Sequence, residues 1–360
     1  MSVLIVGASG LVGTAAIDAF VDDGWEVVSV SRREPEVFSN EPFTHITLDL
    51  MDADACQQAL GKQHSITHVV YAAVFEMPGL VKGWKNPEQM QTNLAMLQNV
   101  VEPIARSGRL QHVTLLQGTK AYGVHHHPIR VPSRESEPRD QHENFYWLQE
   151  DFIREDSARH GYEWTIFRPP LIVGPNYGVA MNLPPVIGAY AAICTHEKRP
   201  FSYPGGVSYV ADAVDTRIVA AAALWAATSE RAWGEHFNIT NGEVFEWRDL
   251  WPALARTLGV ETGDDEPMRI STFLGDRINV WRDIVADHDL RPLSLDELVG
   301  QSHHYADFQF AHRAVIPPPP ALMSTIKLTE AGFHAVHNTE ESFTHWLDVL
   351  MDRNVLPRLG

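Results

Sequence analysis

Tyr146 lies in NFYWLQED (144–151), at the start of a helix-like stretch. A phenol in that position can donate a hydrogen bond or a proton to a substrate oxygen. Where a nicotinamide-dependent enzyme uses such a phenol, a lysine usually follows one helical turn later, but here that position holds Glu150. The tyrosine is therefore either ordinary packing or the partner of a lysine from elsewhere in the chain. The chemistry open to such a pair follows from charge. A hydride arriving at the β-carbon of an enone or enal pushes charge onto the carbonyl oxygen, and that oxyanion needs a donor positioned in advance. A phenol can be the donor, and a nearby ammonium assists through its field or by lowering the phenol pKa.

A second set of residues could hold the hydride source. GASGLVG places Gly7, Gly10 and Gly13 directly after an apolar run and ahead of a helical pattern. The first glycine permits a tight turn, the second lets backbone approach a pyrophosphate, and the third lets helix and strand pack closely. The helix start at Leu11 and Val12 offers amide donors and a positive dipole end. At the end of the next strand, SVSRRE carries Ser29, Ser31, Arg32 and Arg33, with no carboxylate for a ribose 2′-hydroxyl. Two guanidinium groups there favour a 2′-phosphate, hence NADPH/NADP+. Asp49 and Leu50, in LDLMD, are expected against the adenine ring.

The elements that must position these residues alternate. VLIV, EVVSVS, HITLDL, HVVYAA, HVTLLQG and EWTIFRPP read as strands, with helical patterns between them near 53–61, 87–106 and from 144. This alternation implies an α/β fold with a Rossmann-type, doubly wound parallel sheet. After Gly174 the chain turns rich in Pro, Gly, Tyr and Asn, with an apolar helix near 184–195. The expected organisation is an NADP-binding core over 1–175, a cap insertion over 176–205, and a return to the core over 206–242. A smaller, mainly helical substrate cap and closing helices then occupy 243–360. IPPPPALMS (316–324) is a stiff spacer before the last helices.

Composition narrows the partners. The 360 residues carry 28 Lys and Arg against 46 Asp and Glu, a formal charge of -18. Such a surface repels nucleic acid and anionic membranes. No run reaches the roughly 18 apolar residues of a membrane span. Two cysteines suit neither a disulfide framework nor a thiolate metal cage. With the first strand beginning at residue 3, no leader is expected, and a reducing cytoplasmic location is.

From the fifth strand onward, LLQGTKAYG (115–123), NFYWLQEDFI (144–153), FRPPLIVG (167–174), GAYAAICTHE (188–197) and FNITNGEVFEWRDLW (237–251) occur in order. Together with the closing LTEAGFHAVHNTEESFTHWLD, they resemble the progesterone 5β-reductase/iridoid synthase-like enzymes, a branch of the extended short-chain dehydrogenases. The resemblance spans essentially the whole chain. It implies that Lys120 replaces the lysine absent at position 150 and that Tyr146 is the matching catalytic tyrosine. Trp147 stands where plant members often have a second tyrosine, and QGTKAYG departs from the plant form TGRKHY around the lysine. The implied activity is NADPH-dependent reduction of the C=C bond of small apolar α,β-unsaturated carbonyl compounds. A homodimer is left open.

Arg168, ahead of two prolines, is expected to frame the cofactor. Phe75, Tyr122, Met181, Asn182, Tyr203 and Phe333 are the expected substrate-pocket wall, and Asn93 is read as structural. No metal is expected: adjacent histidines in a strand would alternate sides, no nearby Cys or spaced His completes a ligand set, and His125, His126 and His127 are read as a solvated loop. Two other functions compete: an NDP-sugar epimerase or dehydratase, disfavoured without Tyr-x-x-x-Lys, and a nonenzymatic NADP sensor, which would not need the Lys120–Tyr146 pair.

Overall fold

All five residues of β1 (Ser2–Val6) are buried, and its side chains alternate between two separate cores. Val3 and Ile5 face one helical layer, while Leu4 and Val6 face the other. A strand covered on both faces has to be apolar throughout, which is why its sequence shows no polar alternation. Each Val, Leu or Ile buried in this way contributes about 1.5–3 kcal/mol. The computed structural model describes every residue except Gly79, and only the backbone of Val81 and Lys82.

The strands that follow are β2 (Glu26–Ser31), β3 (Thr44–Thr47), β4 (His68–Tyr71), β5 (His112–Leu116), β6 (Glu163–Arg168), β7 (Leu171–Val173), β8 (Val210–Asp215), β9 (Glu235–Asn238) and β10 (Val244–Glu246). Seven of them form one sheet in the order β3-β2-β1-β4-β5-β6-β9, with every pairing parallel. The strand order turns around between β1 and β4, so a crevice opens at the carboxyl ends there. A three-stranded sheet, β10-β8-β7, lies apart from it.

Helices α1 (Leu11–Asp22), α2 (Ala53–Leu60), α3 (Pro87–Ala105), α4 (Phe145–His160), α5 (Pro184–His196) and α6 (Thr216–Thr228) alternate with the strands. Helices α1 and α6 bury Ala16, Ile17, Phe20, Ala220 and Ala223 against one face of the large sheet. Cys56, Leu60, Leu97, Val100 and Ile153 of α2, α3 and α4 cover the other. Several caps are local: Asp52 accepts from Ala55 N, Asn86 from Glu88 N, and Asp215 from Arg217 N.

The remaining helices are α7 (Trp247–Leu258), α8 (Ile270–Gly275), α9 (Ile278–Asp287), α10 (Leu295–Val299), α11 (Ser302–Gln309), α12 (Ile326–Glu330) and α13 (Thr339–Asp352). Most of them gather with α5 into a separate aromatic-rich core. In it Trp251 stacks on Phe201 at 4.5 Å, and Tyr203 meets Trp251 edge-on at 5.4 Å. The proline segment is a brace as well as a spacer. Ser133 N donates to Leu322 O (2.9 Å) and Ser324 N to Ser133 O (2.9 Å), pinning its end across the molecule. Among the described residues no helix is long and apolar enough to cross a membrane.

Candidate active site

A cavity of about 950 Å³ opens where the carboxyl ends of the parallel strands meet the helical layer. Gly7, Gly10, Leu11 and Val12 form part of its wall. Gly7 has φ +78°, and a Cβ there would stand 2.7 Å from Ala73 N, so only glycine lets the β1 and β4 loops come this close. Gly13 lies behind the wall, where a Cβ would collide with Gly7 O at 2.2 Å. Helix α1 follows Gly10 as its N-cap, with no side chain capping its amides and no acid in its first turn. This cradle suits a dinucleotide pyrophosphate.

The expected adenosine end lies along the same cavity. Arg32, Arg33, Asp49 and Leu50 all line it. The arginine turn is set by Ser31, whose Oγ donates to Arg33 O at 2.5 Å. Both arginines are exposed, and among the described residues neither makes an ion pair. Ser31 ends β2, and the next acid, Glu34, is exposed.

Lys120 and Tyr146 come to this cavity from different elements. Lys120 sits in a single 3-10 turn after β5 (Thr119–Tyr122). Tyr146 is in the first turn of α4, fixed by Asn144, whose Oδ1 accepts from Tyr146 N at 3.1 Å. The same Asn144 donates through Nδ2 to Lys120 O (3.3 Å), tying the two segments together. The Tyr146 hydroxyl rests against Gly118: a Cβ there would lie 3.2 Å from the phenol oxygen and 3.3 Å from Pro169 O.

The electrostatics of the pair differ from those of two free side chains. Lys120 Nζ lies 3.7 Å from Glu76 Oε1 and 3.8 Å above the Trp84 ring, with the two charged side chains only 13% and 4% exposed. Burial lowers the Lys120 pKa to about 8 despite its carboxylate neighbour, and burial also raises the Glu76 carboxyl. The Tyr146 phenol is pushed up by burial first and by Glu76 second, so it remains protonated at ordinary pH. Glu76 is braced by Gln89 Nε2 (2.8 Å), and Asn93 clamps the neighbouring backbone through Phe75 N (2.8 Å) and Phe75 O (2.9 Å).

Glu150 lies outside the cavity wall. It accepts from Gln117 Nε2 (3.0 Å) and pairs with Arg139 (2.9 Å) and Arg154 (3.0 Å). Burial alone would raise its pKa, but His236, Arg139 and Gln117 outweigh burial and hold the carboxylate well below its usual range.

Other expected positions fall differently. Phe75 and Met181 line the cavity, whereas Arg168, Tyr122, Asn182, Tyr203 and Phe333 do not. Arg168 is buried, donating from Nε to Gln117 Oε1 (2.9 Å) and from Nη1 to the Tyr122 hydroxyl (3.3 Å). That hydroxyl in turn donates to Asn238 Oδ1 (2.7 Å), so Arg168 and Tyr122 brace the ends of β6 and β9. Asn182 holds Gly174 O (2.8 Å) and Asn176 O (2.7 Å). Tyr203 packs in the helical core and Phe333 against Trp225 at 5.7 Å.

Sequence reasoning missed Glu76, Trp84, Gly118, Asp212, Tyr305 and Phe308, all of which line the cavity. Asp212 left a trace, an acid in the middle of the strand VADAVD, ahead of the capping Asp215 that ends it. It accepts from Met323 N (3.1 Å), and burial pushes its pKa up to about 7. Residues 124–127 form a turn, with His126 N and His127 N both donating to Gly123 O (2.8 and 3.1 Å). Burial, then His126, His142 and Lys120, push the His125 pKa down to about 3.

The model of the NAD dependent epimerase/dehydratase family matches residues 3–240. This chain belongs to that family. Within it, the (S)-8-oxocitronellyl enol synthase of Catharanthus roseus is 30% identical over 374 residues, covering 98% of this chain and 92% of that protein. The 3-oxo-Delta(4,5)-steroid 5-beta-reductase of Arabidopsis thaliana is 30% identical over 380 residues, again covering 98% and 92%. These relatives put the chain in the progesterone 5β-reductase/iridoid synthase-like branch of the epimerase/dehydratase family. Among solved structures, UDP-glucose 4-epimerase of Thermotoga maritima with UDP-glucose matches with a TM-score of 0.67 at 16% identity, over 98% of this chain and 99% of that one. The Bordetella bronchiseptica enzyme WbmH in complex with NAD+ gives 0.66 at 14% identity, over 98% of each chain. At such identities the likeness is one of fold.

Proposed function

We propose that this chain is an oxidoreductase that uses NADPH to reduce the activated C=C bond of small apolar α,β-unsaturated carbonyl compounds. The observation that carries this reading is the convergence of Lys120 and the Tyr146 hydroxyl on one cavity, whose wall continues into the glycine loop. The nicotinamide dependence of the family and the names of the two plant relatives support it. Arg32 and Arg33 at the cavity rim, with no carboxylate at the end of β2, favour the phosphorylated cofactor.

Bound NADPH would supply the hydride to the substrate β-carbon. The neutral Tyr146 phenol donates a hydrogen bond to the substrate carbonyl oxygen, and the bond strengthens as negative charge develops there. Lys120 adds the field of an ammonium held in place by Glu76 and Trp84. Phe75, Met181, Tyr305 and Phe308 give the cavity apolar walls that keep competing water away. Protonation of the α-carbon then completes the saturated carbonyl product. An epimerase role is disfavoured because Glu150, locked to Gln117 and two arginines, occupies the place of that chemistry's lysine.

Consumption of NADPH with a cyclic enone, followed through the absorbance of the reduced nicotinamide, tests the reading. Saturated ketone must accumulate as NADPH disappears; an inert mixture, or an allylic alcohol product, contradicts it.

Two further outcomes follow here. Lys120 is charged below about pH 8 and neutral above it. A mechanism that needs the ammonium therefore has kcat/KM level below that pH and falling as pH rises through it. The groups facing Lys120 are Glu76, Trp84 and His125. The falling limb should vanish in Lys120→Met, and its persistence there would assign it to another group. Gly118→Ala puts a methyl 3.2 Å from the Tyr146 oxygen, so the phenol must move by a few tenths of an ångström. Turnover should drop by roughly tenfold with Tm little changed, since positioning errors well under 1 Å already slow preorganised sites.

A further inference from the structure

His125 and His126 come from the turn after Lys120, and His142 from the loop that leads into α4. One nitrogen from each lies within 4.8 Å of the others. The ring centroids are 4.2 Å (125–126), 5.0 Å (125–142) and 4.8 Å (126–142) apart. Nδ1 of His125 is buried and has no hydrogen-bond partner among the described residues. An orphaned buried nitrogen is costly unless something else satisfies it.

The His142 ring is held at both of its nitrogens. Its Nδ1 lies 2.7 Å from Asp140 Oδ1, and Asn144 Nδ2 lies 3.1 Å from its Nε2. The Asn144 amide cannot be reversed, because its Oδ1 already accepts from Tyr146 N. Nε2 of His142 is therefore the acceptor, and Nδ1–H donates to the Asp140 carboxylate. A carboxylate behind one ring nitrogen fixes the tautomer and makes the other nitrogen a better ligand. Asp140 Oδ2 is held in turn by His127 Nε2 at 2.7 Å, and Trp147 Nε1 donates to His142 O (3.1 Å), anchoring the loop to α4.

We propose that His125, His126 and His142 form a binding site for a divalent transition ion of the zinc class, with Asp140 as the outer carboxylate. Imidazole ligands suit Zn²⁺, Co²⁺, Ni²⁺ or Cu²⁺ and not the hard ions Mg²⁺ and Ca²⁺. Ligand nitrogens around tetrahedral zinc stand about 3.4 Å apart, given Zn–N bonds of about 2.0–2.1 Å. The three nitrogens, now within 4.8 Å of one another, must draw in to that spacing on binding. Three protein ligands leave a fourth position, for water or a carbonyl oxygen. His125 and His126 line the cavity, so the site opens on it. The ion would draw His142 Nε2 away from Asn144, the residue that caps α4 and fixes Tyr146 N.

The test is calorimetric titration of the untagged chain with Zn²⁺, paired with Co²⁺ absorption. One equivalent of Zn²⁺ should bind, and Co²⁺ should develop the intense visible bands of a tetrahedral nitrogen-rich site, with no effect of Mg²⁺. His126→Ala, at an exposed side chain that leaves the fold intact, should abolish the Co²⁺ bands, as should His125→Ala with His142→Ala. Asp140→Asn should keep the stoichiometry and weaken binding by about 10–100-fold. No saturable binding by wild type, or the same stoichiometry and affinity in His126→Ala and in the double variant, overturns the site. Neither readout depends on NADPH or on reduction, so the metal site and the reductase function stand or fall separately.

Discussion

Tyr146→Phe should lower turnover on a weakly activated enone by about 10²–10³, the usual cost of losing one preorganised oxyanion donor. The substitution removes only a hydroxyl that, among the described residues, makes no hydrogen bond to the protein, so the fold should keep its Tm. NADPH affinity should also survive, since the glycine loop and the arginine turn are separate elements. The loss should shrink on a strongly activated enone, whose enolate forms more easily and for which water can substitute as donor. Lys120→Met should act in the same direction. If the phenol and ammonium work as a unit, the double variant loses less than the product of the single losses. Steady-state turnover of both single variants and the double variant, on one weakly and one strongly activated substrate, measures this. Wild-type turnover by Tyr146→Phe on the weak substrate would remove the phenol from the mechanism.

The second large effect concerns cofactor choice. Replacing Arg32 and Arg33 together with glutamine should raise the KM for NADPH far more than that for NADH. A charge-assisted hydrogen bond contributes about 1.5–3 kcal/mol, so each lost contact weakens NADPH by roughly 10–100-fold. Both side chains are exposed and outside any ion pair among the described residues, so the fold should not change. The ratio of kcat/KM for the two cofactors is the measurement. A ratio unchanged from wild type would put the 2′-phosphate elsewhere.

The legibility of these features in the sequence followed their range along the chain. The parallel alternation was readable because VLIV and its counterparts, covered on both faces, have to be apolar throughout. The glycine loop and the arginine turn were readable because each is contiguous. The Lys120–Tyr146 pair was visible only through family resemblance, since Asn144 and Gly118 join the two segments in space and not in sequence. Arg168 had the right address, a strand end beside prolines, but Gln117 and Tyr122 turn its side chain into the interior. Tyr203 and Phe333 were chosen by residue type, which cannot separate a cavity wall from a core. Glu76 and Trp84 carried no local signal, because their importance lies in what Lys120 meets after folding. The clustering of the histidines carried no contiguous signal, because His142 reaches His125 and His126 through a separate loop.

The most direct measurement is the fate of a labelled hydride. NADPH deuterated at the hydride-bearing carbon, on each face in turn, is incubated with the wild-type protein and a cyclic enone, and the product is read by NMR. The proposed chemistry predicts a saturated ketone with deuterium on the β-carbon from one labelled cofactor and none from the other, with Tyr146→Phe slowing its formation. Deuterium on a carbinol carbon, or full return of unreacted NADPH and enone, would contradict it.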